Sequence, residues 1–255
     1  MDNYNFPVDL QPIYFGKHQK IDNRMAVIRT DTNTPLGIVS DNYGMVKHST
    51  VIDSFRAAGK KYETKEKITL TNNGANLFYR MDFPKIEGEV RKNDLLRLQI
   101  TVKNSYNGSN SLRIIFGALR LVCLNGMVIG QKFMAFAYRH IGEVGGMADA
   151  DTIGKYEDAY KKYIKLFSET LPEIQAMSRA KIAKDGGLFD KKKIHIPGYL
   201  LEEAEASYKS TEDYTVWGYY NSLTYAITHK MKRESISQSM FYGMVAWKKS
   251  ESLLG

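Results

Sequence analysis

Between Leu95 and Gly142 the sequence holds no aspartate or glutamate, yet it carries Arg97, Lys103, Arg113, Arg120, Lys132 and Arg139, with His140 beside the last. Cations without a local counter-charge can displace condensed counterions from a phosphate backbone, a binding mode that needs no special motif. Tyr106, in the loop "NSYNGSN", and Phe78 add rings that can stack on unpaired bases, because every base has a π-face. The bland alternative is a solvated strand face whose cations pair with carboxylates from the second half of the chain.

Other chemistries find little support. There is no G-x-x-x-x-G-K-[ST] loop, no G-x-S-x-G elbow and no H-E-x-x-H pair. The histidines (His18, His48, His140, His195 and His229) are scattered, and none forms an i, i+4 pair with another. Cys123, the single cysteine, sits in the apolar run "LRLVCLNG" and reads as a small buried residue. Asp149 and Asp151 are close enough to hold a divalent ion, as in a nuclease, but an acidic cap on the following helix explains them as well. No catalytic residue, cofactor or metal is therefore expected, with a metal-dependent nuclease kept as a rival. Trp217, Asn221, Tyr225 and His229 share one helical face at four-residue spacing. Such a stripe either contacts a ligand or forms a buried hydrogen-bonded network, and the second is the commoner use. Lys191 to Lys193 reads as a solvated loop, and Lys230, Lys232 and Arg233 as complements to a helix C-terminus.

The elements that must position these residues are legible from their periods. "MAVIRT" and "LGIVSDNYGMV" flank "DTNTP", the pattern of a β-hairpin. "HSTVIDSFRAAGK" predicts a short helix with Ser49 or Thr50 as N-cap and Gly59 as stop. "EKITLT", "ANLFYRMDF", "LLRLQITVK" and "SLRIIF" predict an antiparallel meander. Strand alternation sets Leu96, Leu98, Ile100 and Val102 against Arg97, Gln99, Thr101 and Lys103, and Leu77, Tyr79, Met81 and Phe83 against Phe78, Arg80 and Asp82. "GALRLVCLNG" fits either a short helix or a further strand. From Asp149 the pattern turns helical, first in a long amphipathic helix that Pro172 should break or kink, then in three more helices. The expected fold class is α+β: an N-terminal antiparallel meander with a short helix over residues 1–148, then a mostly helical half over 149–255 packing on the sheet.

Charge agrees with a basic first half. The chain carries a net +8; residues 1–149 hold 20 basic and 14 acidic side chains, residues 150–255 hold 16 and 14. Polyanions are thereby favoured over acidic proteins or cationic ligands. One cysteine fits a reducing compartment, and "MDNYNFPVDLQPIYFG" lacks the apolar core of a signal peptide, so a cytoplasmic protein without a membrane partner is expected.

Several stretches resemble a known family. Leu36-Gly37 and Tyr43, Asn104-Ser105 and Gly108, Arg120, Val122-Cys123 and Asn125, Arg139-His140, and Asn221, Thr224 and His229 lie in the order found in the phage/plasmid-like domain-of-unknown-function family, number 932 of its series. The resemblance implies a cytoplasmic protein of a mobile element and brings no activity with it. The hairpin, helix and basic meander are also similar, more remotely, to phage single-strand annealing proteins of the Redβ and Erf type, which implies self-assembly into a homo-oligomer. The resulting expectation is a non-enzymatic protein that binds single-stranded DNA or RNA, DNA foremost, and supports annealing, recombination or replication. Its expected contacts are Arg97, Lys103, Tyr106, Arg113, Arg120, Lys132 and Arg139. The alternative is a host-directed protein-interaction factor without nucleic-acid activity.

Overall fold

A computed structural model describes residues 4–16, 18–121, 125–127, 135–138, 140, 150–184, 187–231 and 236–254. Its first sheet orders β1 (Val8–Phe15), β2 (Gln19–Arg29) and β3 (Thr34–Ser40), all antiparallel. The last two are the hairpin around "DTNTP". β1 escapes the sequence pattern because Pro12 interrupts it after only two repeats of alternation, Val8 and Leu10 inward against the exposed Asp9 and Gln11. Proline is tolerated there: β1 is an edge strand, and its register shifts between Pro12 and Tyr14. Helix α1 (His48–Gly59) follows, with Lys47 in extended conformation at its start and no side-chain cap. Neither Ser49 nor Thr50 caps it, since both already lie inside the first turn.

The second sheet orders β4 (Lys65–Thr71), β5 (Asn76–Arg91), β6 (Asp94–Ser105), β7 (Leu112–Arg120) and β8 (Asn125–Met127), and β9 (Ala135–Tyr138) also pairs with β7. The "GALRLVCLNG" segment continues β7 as far as Arg120, and Asn125–Met127 pairs back onto Ala118–Arg120. It is therefore strand rather than helix over its described part. Four helices complete the chain: α2 (Ala150–Arg179), α3 (Gly198–Thr211), α4 (Val216–His229) and α5 (Ile236–Glu251). The class is α+β, and no helix among the described residues is long and apolar enough to cross a membrane.

Two compact units interleave along the chain rather than follow one another. The first takes Met1–Lys85, Ile100–Phe116 and Met134–Tyr163; the second takes Ile86–Gln99, Gly117–Phe133 and Ile164–Gly255. In the first unit the apolar strand face is as the alternation predicts: Leu77, Tyr79, Met81, Phe83, Ile100 and Val102 are all buried. Phe55 of α1 stacks on Tyr156 of α2 at 4.5 Å between ring centroids, and Tyr160 donates its hydroxyl to the Phe55 carbonyl. Beneath the first sheet lies a separate cluster of Phe6, Val8, Val27, Leu36, Val39, Tyr43 and Tyr106. Gly37 of β3 belongs to that arrangement by necessity, because a Cβ there would sit 2.5 Å from that of Asn107.

In the second unit Leu96 and Leu98, the indoles of Trp217 and Trp247, and Tyr220 are buried. Helix α2 is not ended by Pro172, which lies inside it. The turn is held from both sides: Leu171 fills the space over Gly88 of β5, and Ile174 and Met177 are fully buried. Burying those side chains offsets the roughly 3 kcal/mol that an interior proline costs a helix.

Truncating one of the fully enclosed rings of the first unit gives a direct test of this core. Phe55→Ala should lower unfolding stability by about 3–5 kcal/mol in urea denaturation, with an unchanged m-value.

Candidate nucleic-acid interface

The cations singled out by the sequence are mostly engaged inside the protein. Arg97 on β6 reaches Glu87 on β5, its Nε donating to Oε1 at 2.7 Å. Arg120 on β7 donates from Nε and Nη2 to the two carboxylate oxygens of Asp94, each at 2.6 Å. Lys103 is only 7% exposed, with its ammonium 4.1 Å above the Phe78 ring. Tyr106 is 1% exposed, so its ring faces protein and is closed to a stacked base. Arg113 is half-buried and donates to Ser111 Oγ. Lys132 and Arg139 lie outside the described residues, as does Asp149. Among the described residues no group of three or more His, Cys, Asp or Glu could hold a metal ion.

The "NSYNGSN" loop carries a buried polar knot. Asn104 donates through Nδ2 to the Val46 carbonyl at 2.8 Å and to His48 Nδ1 at 3.0 Å. His48 Nε2 lies 3.0 Å from the Gly74 carbonyl, which can only accept, so that nitrogen carries the proton and Nδ1 is the acceptor. The backbone N–H of His48 donates to Tyr106 Oη at 2.8 Å, and the two rings stack at 3.9 Å. Tyr43 donates to the Ser105 carbonyl and stacks on His140. Burial holds His48 down to a pKa of about 4, well below the ordinary imidazole value, and also lowers His140. Neither ring is a cation at neutral pH. Asn104 Oδ1 and His140 Nε2 are buried with no hydrogen-bond donor facing them among the described residues.

A second knot belongs to the other unit. Asp94, 3% exposed, accepts from Trp217 Nε1 at 2.9 Å as well as from Arg120, and Arg91 stands 3.4 Å away. Arg91 also pairs with Asp213 at 2.6 Å. Burial would raise the Asp213 pKa, but Arg91 and Thr215 outweigh it and hold the carboxyl below its ordinary value. On α4, Asn221 donates to the Trp217 carbonyl at 2.8 Å. The stripe on that helix is a buried network at Trp217 and Asn221 and reaches solvent at His229.

One cationic surface does emerge, among residues outside the set that the sequence offers as contacts. Lys193, Ile194 and His195 come together with Phe241, Val245, Lys248, Lys249 and Ser252 of α5 around a cleft of about 400 Å³. No carboxylate lines it. Lys191 and Lys192 extend the same run, and none of these five lysines makes an ion pair among the described residues. Of the acids close by in sequence, Asp190 accepts the Lys192 backbone N–H at 2.9 Å, and Glu251 accepts from Trp247 Nε1 at 2.6 Å. Phe241 is 53% exposed over an apolar floor of Ile194 and Val245. Lys248 and Lys249 sit in the last turn of α5, where the helix dipole already favours them. The loop lysines have no such account. Phe241, Val245, Lys248 and Lys249 fall at i, i+4, i+7 and i+8, a periodicity that would have flagged the stripe; the convergence of the loop upon it has no local signal.

A family model described as Domain of unknown function (DUF932) matches residues 35–242. No solved structure matches the chain.

The two knots make separable predictions. Asp94→Ala removes the buried carboxylate that Arg120 and the Trp217 indole N–H share, while Arg91 keeps Asp213, and should cost about 3–5 kcal/mol of stability by chemical denaturation. The His48 imidazole in the unfolded chain protonates near 6.5, whereas the folded one resists to about 4. Below pH 6.5 the unfolded state binds the extra proton, so the His48 contribution is whole above that pH and declines until about pH 4. Stability should therefore drop by on the order of 2 kcal/mol more between pH 7 and pH 5 in the wild type than in His48→Gln.

Proposed function

The chain belongs to the DUF932 family, and for this member we propose non-enzymatic binding of single-stranded nucleic acid, with the cleft between the Lys191–Lys193 loop and α5 as the phosphate-binding surface. The observation that carries this reading is a cleft with no carboxylate in its lining, where Lys193, Lys248 and Lys249 stand with His195, and the exposed Lys191 and Lys192 precede Lys193 in the loop. Like charges held close together raise one another's free energy unless an anion or salt relieves them, so the cluster favours a polyanion over water. Phe241 beside the cations supports a single strand rather than a duplex, since a stacked base must be unpaired. DNA is the expected polymer, and protection or annealing of strands the expected service.

The sheet cations Arg97, Lys103 and Arg120 take no part in this proposal, because each is matched within the fold. Lys248 and Lys249 approach the negative end of the α5 dipole, which weakens their pull on an anion somewhat. The loop lysines are spared that effect and carry the larger share.

Fluorescence anisotropy with a labelled oligonucleotide at rising salt tests the assignment. Wild-type protein should show log K falling with log salt. Charge reversal at Lys191, Lys192 and Lys193 should flatten that slope by about 0.7 for each phosphate that the variant no longer neutralises. A slope unchanged by the triple substitution sinks the assignment of the cleft. Absence of any binding by the wild type sinks the function itself.

A further inference from the structure

The first sheet ends in a feature that the fold leaves without a structural purpose. β3 pairs with β2 only from Arg24 to Arg29; beyond it Gln19 and Lys20 of β2 pair with Phe15 and Tyr14 of β1 as a two-stranded tip, set off by an irregular stretch of β2 between Lys20 and Met25. Gly16 turns the ribbon in the left-handed region at φ +61°, with open space around it. Two-stranded ribbons are marginal in water by themselves, and exposed rings add to that cost. Yet Phe15 is 74% exposed, Tyr14 54% and Ile21 39%.

Register defines what the ribbon presents. Tyr14 lies opposite Lys20, and Phe15 opposite Gln19. Cross-strand partners share a face, so Tyr14 stands beside an ammonium on one side, while Phe15 and Ile21 form an apolar step on the other. His18 and Arg24 are exposed along the same ribbon, and Asp22 is the one described acid between Tyr14 and Arg24. A second copy of this chain docked here would set like charges against like, and a neutral peptide would leave them unanswered. An anionic partner with flat apolar faces answers both features.

We propose that the β1–β2 ribbon is a base-stacking contact for single-stranded nucleic acid, in which Tyr14 and Phe15 take unpaired bases and Lys20 and Arg24 neutralise the neighbouring phosphates. It rests on the nucleic-acid reading above and assigns it a second, independent contact that differs in kind, with rings rather than lysines as its main donors of affinity. Stacking on an aromatic ring is sequence-tolerant and only weakly dependent on salt, whereas lysine–phosphate contact is strongly so.

The test uses the full chain and an oligonucleotide carrying 2-aminopurine, whose emission reports stacking. Tyr14→Ala with Phe15→Ala should weaken binding about ten-fold or more, remove the change in emission and leave the salt slope unaltered. Both side chains are exposed, so the circular dichroism spectrum and melting temperature should match those of the wild type; Phe15→Trp should keep binding and rule out a merely folding-related defect. Unaltered affinity and emission in the double variant overturn the ribbon contact. So does strand binding that persists while sedimentation shows self-association abolished, or flotation shows phosphatidylserine vesicles no longer bound, which would assign the ribbon to a second copy or to a membrane surface. Failure of the ribbon variant alone leaves the lysine cleft standing; failure of the wild type to bind any strand removes both.

Discussion

A carboxylate at the head of β6 governs the electrostatics of the sheet. Asp94 is almost wholly buried, and the desolvation cost of its charge must be met by donors held within reach. Arg120 meets it with a two-pronged contact, Trp217 with an indole N–H, and Arg91 from the neighbouring turn. Three elements distant in sequence, β6, β7 and α4, are tied to one pair of oxygens. Two of the six cations in the stretch from Leu95 to Gly142 find counter-charges just outside it: Glu87 pairs with Arg97, and Asp94 with Arg120. A sheet pairs residues by strand order, so a stretch of chain without carboxylates need not be an unmatched cationic patch of surface.

What the sequence revealed and what it hid follow from that distinction. Period-two alternation is a local property, and it correctly divided Leu96, Leu98, Ile100 and Val102 from Arg97 and Thr101, and Leu77 to Phe83 likewise. Burial of Lys103 is not local, since alternation puts it on the outward face while Phe78 and the surrounding fold enclose it. The helices were legible from their 3.6-residue period, and the α+β class with them. β1 was not, because an edge strand with proline and outward polar residues lacks the pattern of a buried one. Pro172 misled in the opposite direction: the intrinsic penalty is real, but packing of Leu171, Ile174 and Met177 decides the outcome. Of the seven residues that the sequence offers as strand contacts, the described ones serve structure more than they face a strand. Residues that do converge on a cationic cleft, Lys193 and Lys248, are far apart in the chain, and no window short enough to read holds both.

The two buried polar knots have a common logic and different tolerances. Around Asp94 opposite charges balance, and removing any one donor leaves part of that charge uncompensated. Around His48 the groups are neutral, and the imidazole stays so because burial disfavours its charged form. Protonating it would take the lone pair that accepts from Asn104 and place a cation against the Tyr106 ring in a site without a carboxylate. This knot fastens the start of α1 to the "NSYNGSN" loop through bonds from His48 and Asn104 to Gly74 and Val46. The start of the loop is thus a tether, which explains why Asn104, Ser105 and Tyr106 are buried while Gly108 and Ser109 stay exposed.

Removing those residues from the pool of surface cations sharpens what remains. The net +8 is the excess of 36 lysines and arginines over 28 aspartates and glutamates, and His48 and His140 add nothing to it at neutral pH. Once Arg97, Arg120, Arg91 and Arg56 are matched to their acids, the excess concentrates on surface lysines such as those at 191–193 and 248–249. Those four arginines serve internal pairing, where a rigid fork holds carboxylates at fixed angles. The lysines at 191–193 and 248–249 offer flexible point charges that can follow a partner of varying shape. A single strand is such a partner: its backbone path changes from one nucleotide to the next, and its charge does not. Ammonium groups on long stems tolerate that variation, and stacked rings tolerate any base. The proposed contacts, built from those two side-chain types, would discriminate strand from duplex and phosphate from neutral polymer, while remaining indifferent to sequence.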